Sequence, residues 1–234
     1  MSSTLITPRV TRVLDRLRAA GEASDEPAKQ LVNDCSARLG RSLDGRERAD
    51  LCQAAPLSIT PEVGELLYVL ALGRRAERIV EFGTSLGFST LHIAAAIRDN
   101  GAGQLITTEL QPEKAERARS NLAEAGLADL VDVRVGDAMQ TLADCSGDID
   151  MLFLDGWNEL YLPLLCQIEP YLKPGALVVA DLSKDDPLLI AYRNYVTRTD
   201  TGYLSVEIPI DAGVVVSVRL PSSDHNDRGD TSCG

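Results

Sequence analysis

Residues Ile79 to Ala94 read Ile79-Val80-Glu81-Phe82-Gly83-Thr84-Ser85-Leu86-Gly87-Phe88-Ser89-Thr90-Leu91-His92-Ile93-Ala94. The apolar run Ile79 to Phe82 predicts a short strand, and the periodic stretch from Thr90 to Arg98 predicts a helix. Between them, Gly83 and Gly87 allow the backbone to bend tightly and to approach a ligand closely. Downstream the alternation repeats. Strands are expected at Leu105 to Thr108, Val131 to Val135, Met151 to Leu154 and Leu177 to Ala180, and a helix at Pro112 to Ala125 that Gly126 closes. Strands alternating with helices of this length imply an α/β fold, a parallel sheet covered on both faces. After a helix near Leu188 to Val196, the β-rich runs Tyr203 to Pro209 and Val214 to Leu220 predict an antiparallel hairpin at one edge.

Upstream the chain reads as helices. Thr7-Pro8 starts one, with Val10, Val13, Leu14 and Leu17 on a stripe. A second is expected from Glu26 to Arg38, ended by Gly40, and a third from Arg46 to Gln53. Thr60-Pro61 opens a fourth, with Val63, Leu66, Leu67 and Leu70 as its apolar positions. Residues 1–55 therefore read as a helical cap or dimerisation segment, 56–221 as the main domain, and the polar stretch 222–234 as a disordered tail.

Composition narrows the function classes. The 234 residues carry 23 Lys and Arg against 35 Asp and Glu, a net charge of −12, which would repel a phosphate backbone and argues against nucleic-acid binding. No apolar run approaches the roughly 20 residues that span a bilayer. The N-terminus lacks the layout of a signal peptide, so the reading is cytoplasmic. The five cysteines (Cys35, Cys52, Cys145, Cys166, Cys233) show no CxxC spacing, which favours reduced thiols. Only His92 and His225 are present, which disfavours a histidine-centred site.

The acids are the most informative feature. Glu81, Glu109, Asp155 and Asp181 each stand at the C-terminal end of an expected parallel strand, and Asp137 follows the remaining one. Ligands of open α/β sheets bind outside those ends, near the point where strand order reverses. An acid after the second strand suits the two hydroxyls of a ribose. A dinucleotide fold would want G-x-G-x-x-G, and the glycine spacing here disfavours a nicotinamide-dependent oxidoreductase. Surrounding carboxylates favour a cationic cofactor, and S-adenosylmethionine carries both an ammonium and a sulfonium.

Six motifs occur in order: SITPEVGELL, IVEFGTSLGFSTLHIA, TTELQPEKAERARSNL, VGDAMQTL, MLFLDGWNELYLPLL and GALVVADL. In this set the chain, from about Pro56 to Leu220, resembles the class I methyltransferases, and within them the catechol and caffeoyl-coenzyme A O-methyltransferase family. The resemblance implies a Rossmann-like fold with a mostly parallel seven-stranded sheet, S-adenosylmethionine as methyl donor, a small-molecule acceptor with a hydroxyl (phenolic or catechol-like), and a homodimer. It places Ser58 near the methionine part of the cofactor, Glu81, Gly83 and Thr84 at its flank, and Ser89 on its carboxylate. Glu109 would hold the ribose, Gly136, Asp137 and Ala138 would lie by the adenine with Trp157 packed against it, and Asp155 would face the transfer site.

The family uses Mg²⁺ held by an Asp after the fourth strand and an Asp-Asn pair after the fifth, with a Lys as base. Here Asp155 and Asp181 are kept as candidate metal ligands, but Leu182 stands in place of the Asn and Asn158 in place of the Lys. A further acid near the last strand is replaced by Val214 or Val215. Leucine cannot ligate a hard cation and an amide is no base at neutral pH. The candidate catalytic residues are therefore Asp155, Asn158 and Lys184, the last as a substitute base. The alternatives are metal-independent methylation of a carboxylate or an amine, and a cofactor-binding protein that does not methylate.

Overall fold

The computed structural model describes residues 3–183, 186–198 and 200–221. Lys184, Asp185, Thr199, His225, Cys233 and the expected tail 222–234 lie outside the described residues. The strands are β1 (Arg78–Phe82), β2 (Gln104–Glu109), β3 (Val131–Val135), β4 (Ile149–Leu154), β5 (Leu172–Asp181), β6 (Tyr203–Ile208) and β7 (Val214–Arg219). They form one sheet in the order β3-β2-β1-β4-β5-β7-β6. β1 to β5 run parallel, whereas β7 is antiparallel to both β5 and β6. The expected hairpin therefore closes one edge, with its later strand inserted next to β5. Strand order reverses at β1, between β2 and β4.

The helices are α1 (Pro8–Leu39), α2 (Gly45–Leu51), α3 (Pro61–Arg74), α4 (Phe88–Asn100), α5 (Pro112–Ala125), α6 (Ala138–Thr141), α7 (Tyr161–Ile168) and α8 (Ile190–Thr197). One sheet face, with Ile79, Met151, Phe153 and Val179, packs against α1, α3, α4 and α5. The other, with Val80, Leu152, Leu154 and Val178, packs against α6, α7 and α8. Every residue of β4 is buried, as a central parallel strand requires.

Two expectations need correction. The first two helices are one, because α1 runs through Pro27 without a break. A proline inside a helix costs about 3 kcal/mol. Here tertiary bonds hold the preceding turn: the Asp25 carboxylate accepts the backbone N–H groups of Leu57 (2.8 Å) and Ser58 (3.1 Å). Second, Cys35, Cys52 and Cys145 are free thiols as expected, but Cys166 is disulfide-bonded. Among the described residues no helix is long and apolar enough to cross a membrane.

Candidate functional site

The C-terminal strand ends form the candidate site, and the loop after β1 is its centre. Gly83 holds φ at +106°, and a Cβ there would stand 2.3 Å from the Asp155 carbonyl oxygen. The β1 loop and the β4 end thus approach as closely as glycine permits. The N–H groups of Gly83 and Thr84 donate to the Thr108 carbonyl (3.3 and 3.1 Å), and the Thr84 hydroxyl meets that of Thr107 at 2.6 Å. The loop is therefore anchored to β2 before α4 begins.

The five strand-end acids do different work. Glu81 is wholly buried and accepts hydrogen bonds from Ser89 (2.6 Å) and Thr90 (2.7 Å) on the first turn of α4. Burial pushes its carboxyl up, and the hydroxyls of Ser89, Thr107 and Thr90 oppose that push. Glu81 supports the loop from within rather than lining it, and Ser89 commits its proton to Glu81. Asp137 is exposed and caps α6 by accepting the Met139 N–H at 2.9 Å, with Ala138 buried behind it. Gly136 donates its N–H to the Glu109 carbonyl at 2.9 Å.

Glu109 is partly exposed, and its carboxylate bridges two loops. It accepts the N–H of Ser85 (2.8 Å) and the N–H of Gln111 (2.9 Å). A carboxylate has about four lone-pair positions, so acceptor capacity remains. Ser58 lies near this loop, its N–H held by Asp25, while Pro56 accepts a bond from the Ser85 hydroxyl.

Asp155 and Asp181, at the ends of adjacent β4 and β5, confront each other. Burial, then Asp181, Glu81 and Asp211, push the Asp155 carboxyl well above the ordinary aspartate range. Burial and then Asp211 raise Asp181 to about 7, with Lys29 of α1 acting in the opposite direction. One Asp181 oxygen is buried without a hydrogen-bond partner. Beneath it, Tyr161 donates its hydroxyl to the Asp181 carbonyl at 2.7 Å.

The residues expected as catalytic fare unevenly. Asn158 is buried and donates to Asp186 at 2.7 Å, so its amide is engaged away from the Asp155–Asp181 pair. Lys184 lies outside the described residues. Leu182 is 2% exposed, in the core beneath α7 and α8, and Val214 and Val215 are likewise buried. Trp157 packs under α2, with the Arg48 guanidinium 4.7 Å above its ring. Sequence reading missed Arg48, Asp25 and Asp211. The first two lay on helices without a motif. Asp211 stands in the β6–β7 turn at φ +54°, three residues before Val214, where an acid was sought and a valine found.

A methyltransferase-domain family matches residues 80–181. A Mycobacteroides abscessus protein named for O-methyl transfer is 30% identical over 190 residues, covering 74% of this chain and 86% of that one. The chain belongs to the S-adenosylmethionine-dependent O-methyltransferases. Another relative in the family, the catechol O-methyltransferase of Niastella koreensis, is 36% identical over 129 residues, which is 53% of this chain and 58% of that one. The chain spans less than two thirds of the length of the catechol O-methyltransferases it matches. Among solved structures, the O-methyltransferase TomG of Streptomyces achromogenes, involved in tomaymycin synthesis and crystallised with S-adenosylmethionine, superimposes with a TM-score of 0.62 at 27% identity, over 82% of this chain and 96% of that one.

Proposed function

We propose that this family member transfers a methyl group from S-adenosylmethionine to an oxygen of a small hydroxylated metabolite, and that it does so without a resident divalent cation. The single observation that carries the reading is the juxtaposition, at the point of strand-order reversal, of the half-open Glu109 carboxylate, the Gly83 loop and the Asp155–Asp181 pair. Glu109 would hold the ribose hydroxyls. The backbone around Gly83 and Thr84, with Ser58, would hold the methionine part, Ser89 would act only through its bond to Glu81, and Gly136, Asp137, Ala138 and Trp157 would bound the adenine. The residues fit the group, because the Glu109 carboxylate, which among the described residues accepts only the N–H groups of Ser85 and Gln111, keeps acceptor capacity for hydroxyl donors. When bound, the sulfonium supplies an activated methyl group.

The chain's own residues supply position and a proton acceptor. Asp181, raised to about 7, is matched to proton abstraction near neutrality. It takes the proton of an acceptor hydroxyl as that oxygen is methylated. Asp211 adds negative charge beside the Asp155–Asp181 pair, which favours a cationic donor and opposes an anionic acceptor. A carboxylate acceptor is disfavoured on the same ground; an amine acceptor is the second reading, favoured by the same three carboxylates.

The donor set does not suit a resident Mg²⁺. Asp155 and Asp181 are paired, but Leu182 is in the core, and among the described residues no group of three or more His, Cys, Asp and Glu side chains is arranged to hold a metal. No step is therefore assigned to one. The reading includes a cytoplasmic homodimer, with residues 1–55 as a helical cap or dimerisation segment; light scattering tests the dimer.

Calorimetry with S-adenosylhomocysteine tests the donor. Glu109→Ala removes two charge-assisted bonds to the ribose, each worth about 1.5–3 kcal/mol, so affinity falls by about 100-fold or more. Unaltered affinity in that variant overturns the ribose assignment. Methyl transfer from labelled donor to a panel of phenols, catechols and amines, run with and without EDTA, tests the rest. Turnover that survives chelation supports the reading, turnover restored only by Mg²⁺ overturns its metal-free part, and no methylated product from any acceptor returns the chain to the class of non-methylating binders.

A further inference from the structure

Helix α2 crosses the strand-end edge. On one side, the Ala49 carbonyl accepts a bond from the Gln111 side chain, just after β2. On the other, Gly45 lies against Trp157, close enough that a Cβ would stand 2.9 Å from the ring carbon Cδ1, just after β4. The strands β2 and β4 are the two neighbours of β1. A helix touching the loops after both therefore spans the loop after β1, where Gly83 sits.

Arg48 fastens the second side. Its guanidinium lies 4.7 Å above the Trp157 ring and forms an ion pair with Glu159, the two side chains 15% and 32% exposed. The interface nonetheless leaves three buried polar atoms without hydrogen-bond partners: Arg48 Nε, Glu159 Oε2 and Gln111 Oε1. Unpaired buried groups of this kind are costly, so the closed arrangement is not one that packing alone fixes. The chain on either side is built to turn. Gly40 ends α1 in the left-handed conformation (φ 64°), and Leu57 adopts the same region (φ 51°). Beyond Leu57 the backbone is pinned to α1 by Asp25. Between these points α2 holds its own shape through a reciprocal cap, in which Asp44 accepts the Glu47 N–H at 2.8 Å and Glu47 accepts the Asp44 N–H at 3.0 Å.

We propose that α2 is a hinged roof over the nucleoside half of the cofactor site, and that Arg48 is the positioning residue that latches it through Trp157 and Glu159. The roof rests on the reading of the site as one for S-adenosylmethionine. Its action is to slow release of the bound nucleoside rather than to touch the reacting atoms.

Trp157 is the sole tryptophan of the chain, so it reports on the roof directly. S-adenosylhomocysteine is the probe, mixed with the protein in stopped flow while Trp157 emission is followed. In the wild type, binding changes the emission. Arg48→Met speeds dissociation about tenfold, the equivalent of about 1.4 kcal/mol, while association changes less than threefold. Arg48→Lys, which keeps the charge but not the planar stack, recovers part of the retention. Glu159→Gln, the milder change, speeds dissociation in the same direction and serves if Arg48→Met does not fold. Dissociation within twofold of wild type in both Arg48→Met and Glu159→Gln overturns the roof while leaving the cofactor reading intact. A wild-type protein that gives no heat with S-adenosylhomocysteine in calorimetry overturns the cofactor reading and the roof with it.

Discussion

Replacing Asp181 by asparagine stabilises the ligand-free protein, and by more at pH 8 than at pH 5.5. Burial and the nearby Asp211 raise this carboxyl to about 7, against about 3.9 in an unfolded chain. The folded state thus holds its proton more tightly than the unfolded state does. Stability tied to that proton is fully present below about pH 4 and is lost as the pH rises towards 7. The gap costs the folded state about 4 kcal/mol at pH 8 and about 2 kcal/mol at pH 5.5, where only the unfolded chain is ionised. Asparagine cannot ionise, so it escapes both costs, and the difference of about 2 kcal/mol is the signature. A chain of 234 residues unfolds with an entropy of about 0.5 kcal/mol/K. The Tm gain of Asp181→Asn is then about 4 °C larger at pH 8 than at pH 5.5, read by scanning calorimetry in EDTA. A gain equal at the two pH values, or larger at pH 5.5, refutes the reasoning.

Gly83→Ala puts a Cβ 2.3 Å from the Asp155 carbonyl at a backbone conformation with φ +106°. Strain and overpacking together cost about 3 kcal/mol, or about 6 °C in Tm, and a variant melting within 1 °C of wild type contradicts the close approach of the two loops. At the opposite end of the sheet, buried Asp150 accepts the N–H groups of Glu77 (3.0 Å) and Arg78 (3.1 Å) and pairs with Lys173 (2.9 Å). Burial pushes its carboxyl up, but Lys173 and the two N–H groups hold it below the usual range. Asp150→Ala therefore costs about 3 kcal/mol at pH 7 in urea unfolding, and the deficit narrows as the pH falls through the aspartate range, where the wild type loses the same contribution.

Most of the sheet was legible because strands buried on both faces announce themselves as apolar runs. Val131–Val135 is found at the expected bounds, and β1, β2 and β4 begin one or two residues early. β5 starts five residues before Leu177, at Leu172, where Lys173-Pro174-Gly175 hid it. The pairing with β4 shifts register there, an irregularity that apolar patterning does not encode. The unbroken α1 was illegible for a different reason: Pro27 is a local signal for a break, and Asp25 overrides it through partners 32 and 33 residues away. In the site, position was readable but employment was not. Strand ends located all five acids, yet only side-chain partners separate Glu81, given over to α4, from Glu109, left half open. Asn158 was flagged as a departure, and its engagement with Asp186 becomes visible only where two loops meet.

The insertion of β7 between β5 and β6 has a consequence for the order of assembly during synthesis. β6 leaves the ribosome first but, among the described residues, has no strand to pair with until β7 arrives, because its neighbour in the sheet is the later strand. Its outward residues Leu204 and Val206 are apolar and more than 60% exposed even in the finished fold. The nascent chain therefore passes through a stage in which β5 is the sheet's edge and β6 hangs unpaired, the kind of species that invites association with other chains. Only when Val214 to Val218 pair with Leu177 to Asp181 does β5 cease to be an edge. The last strand to appear is thus the one that ties β6 to the rest of the sheet.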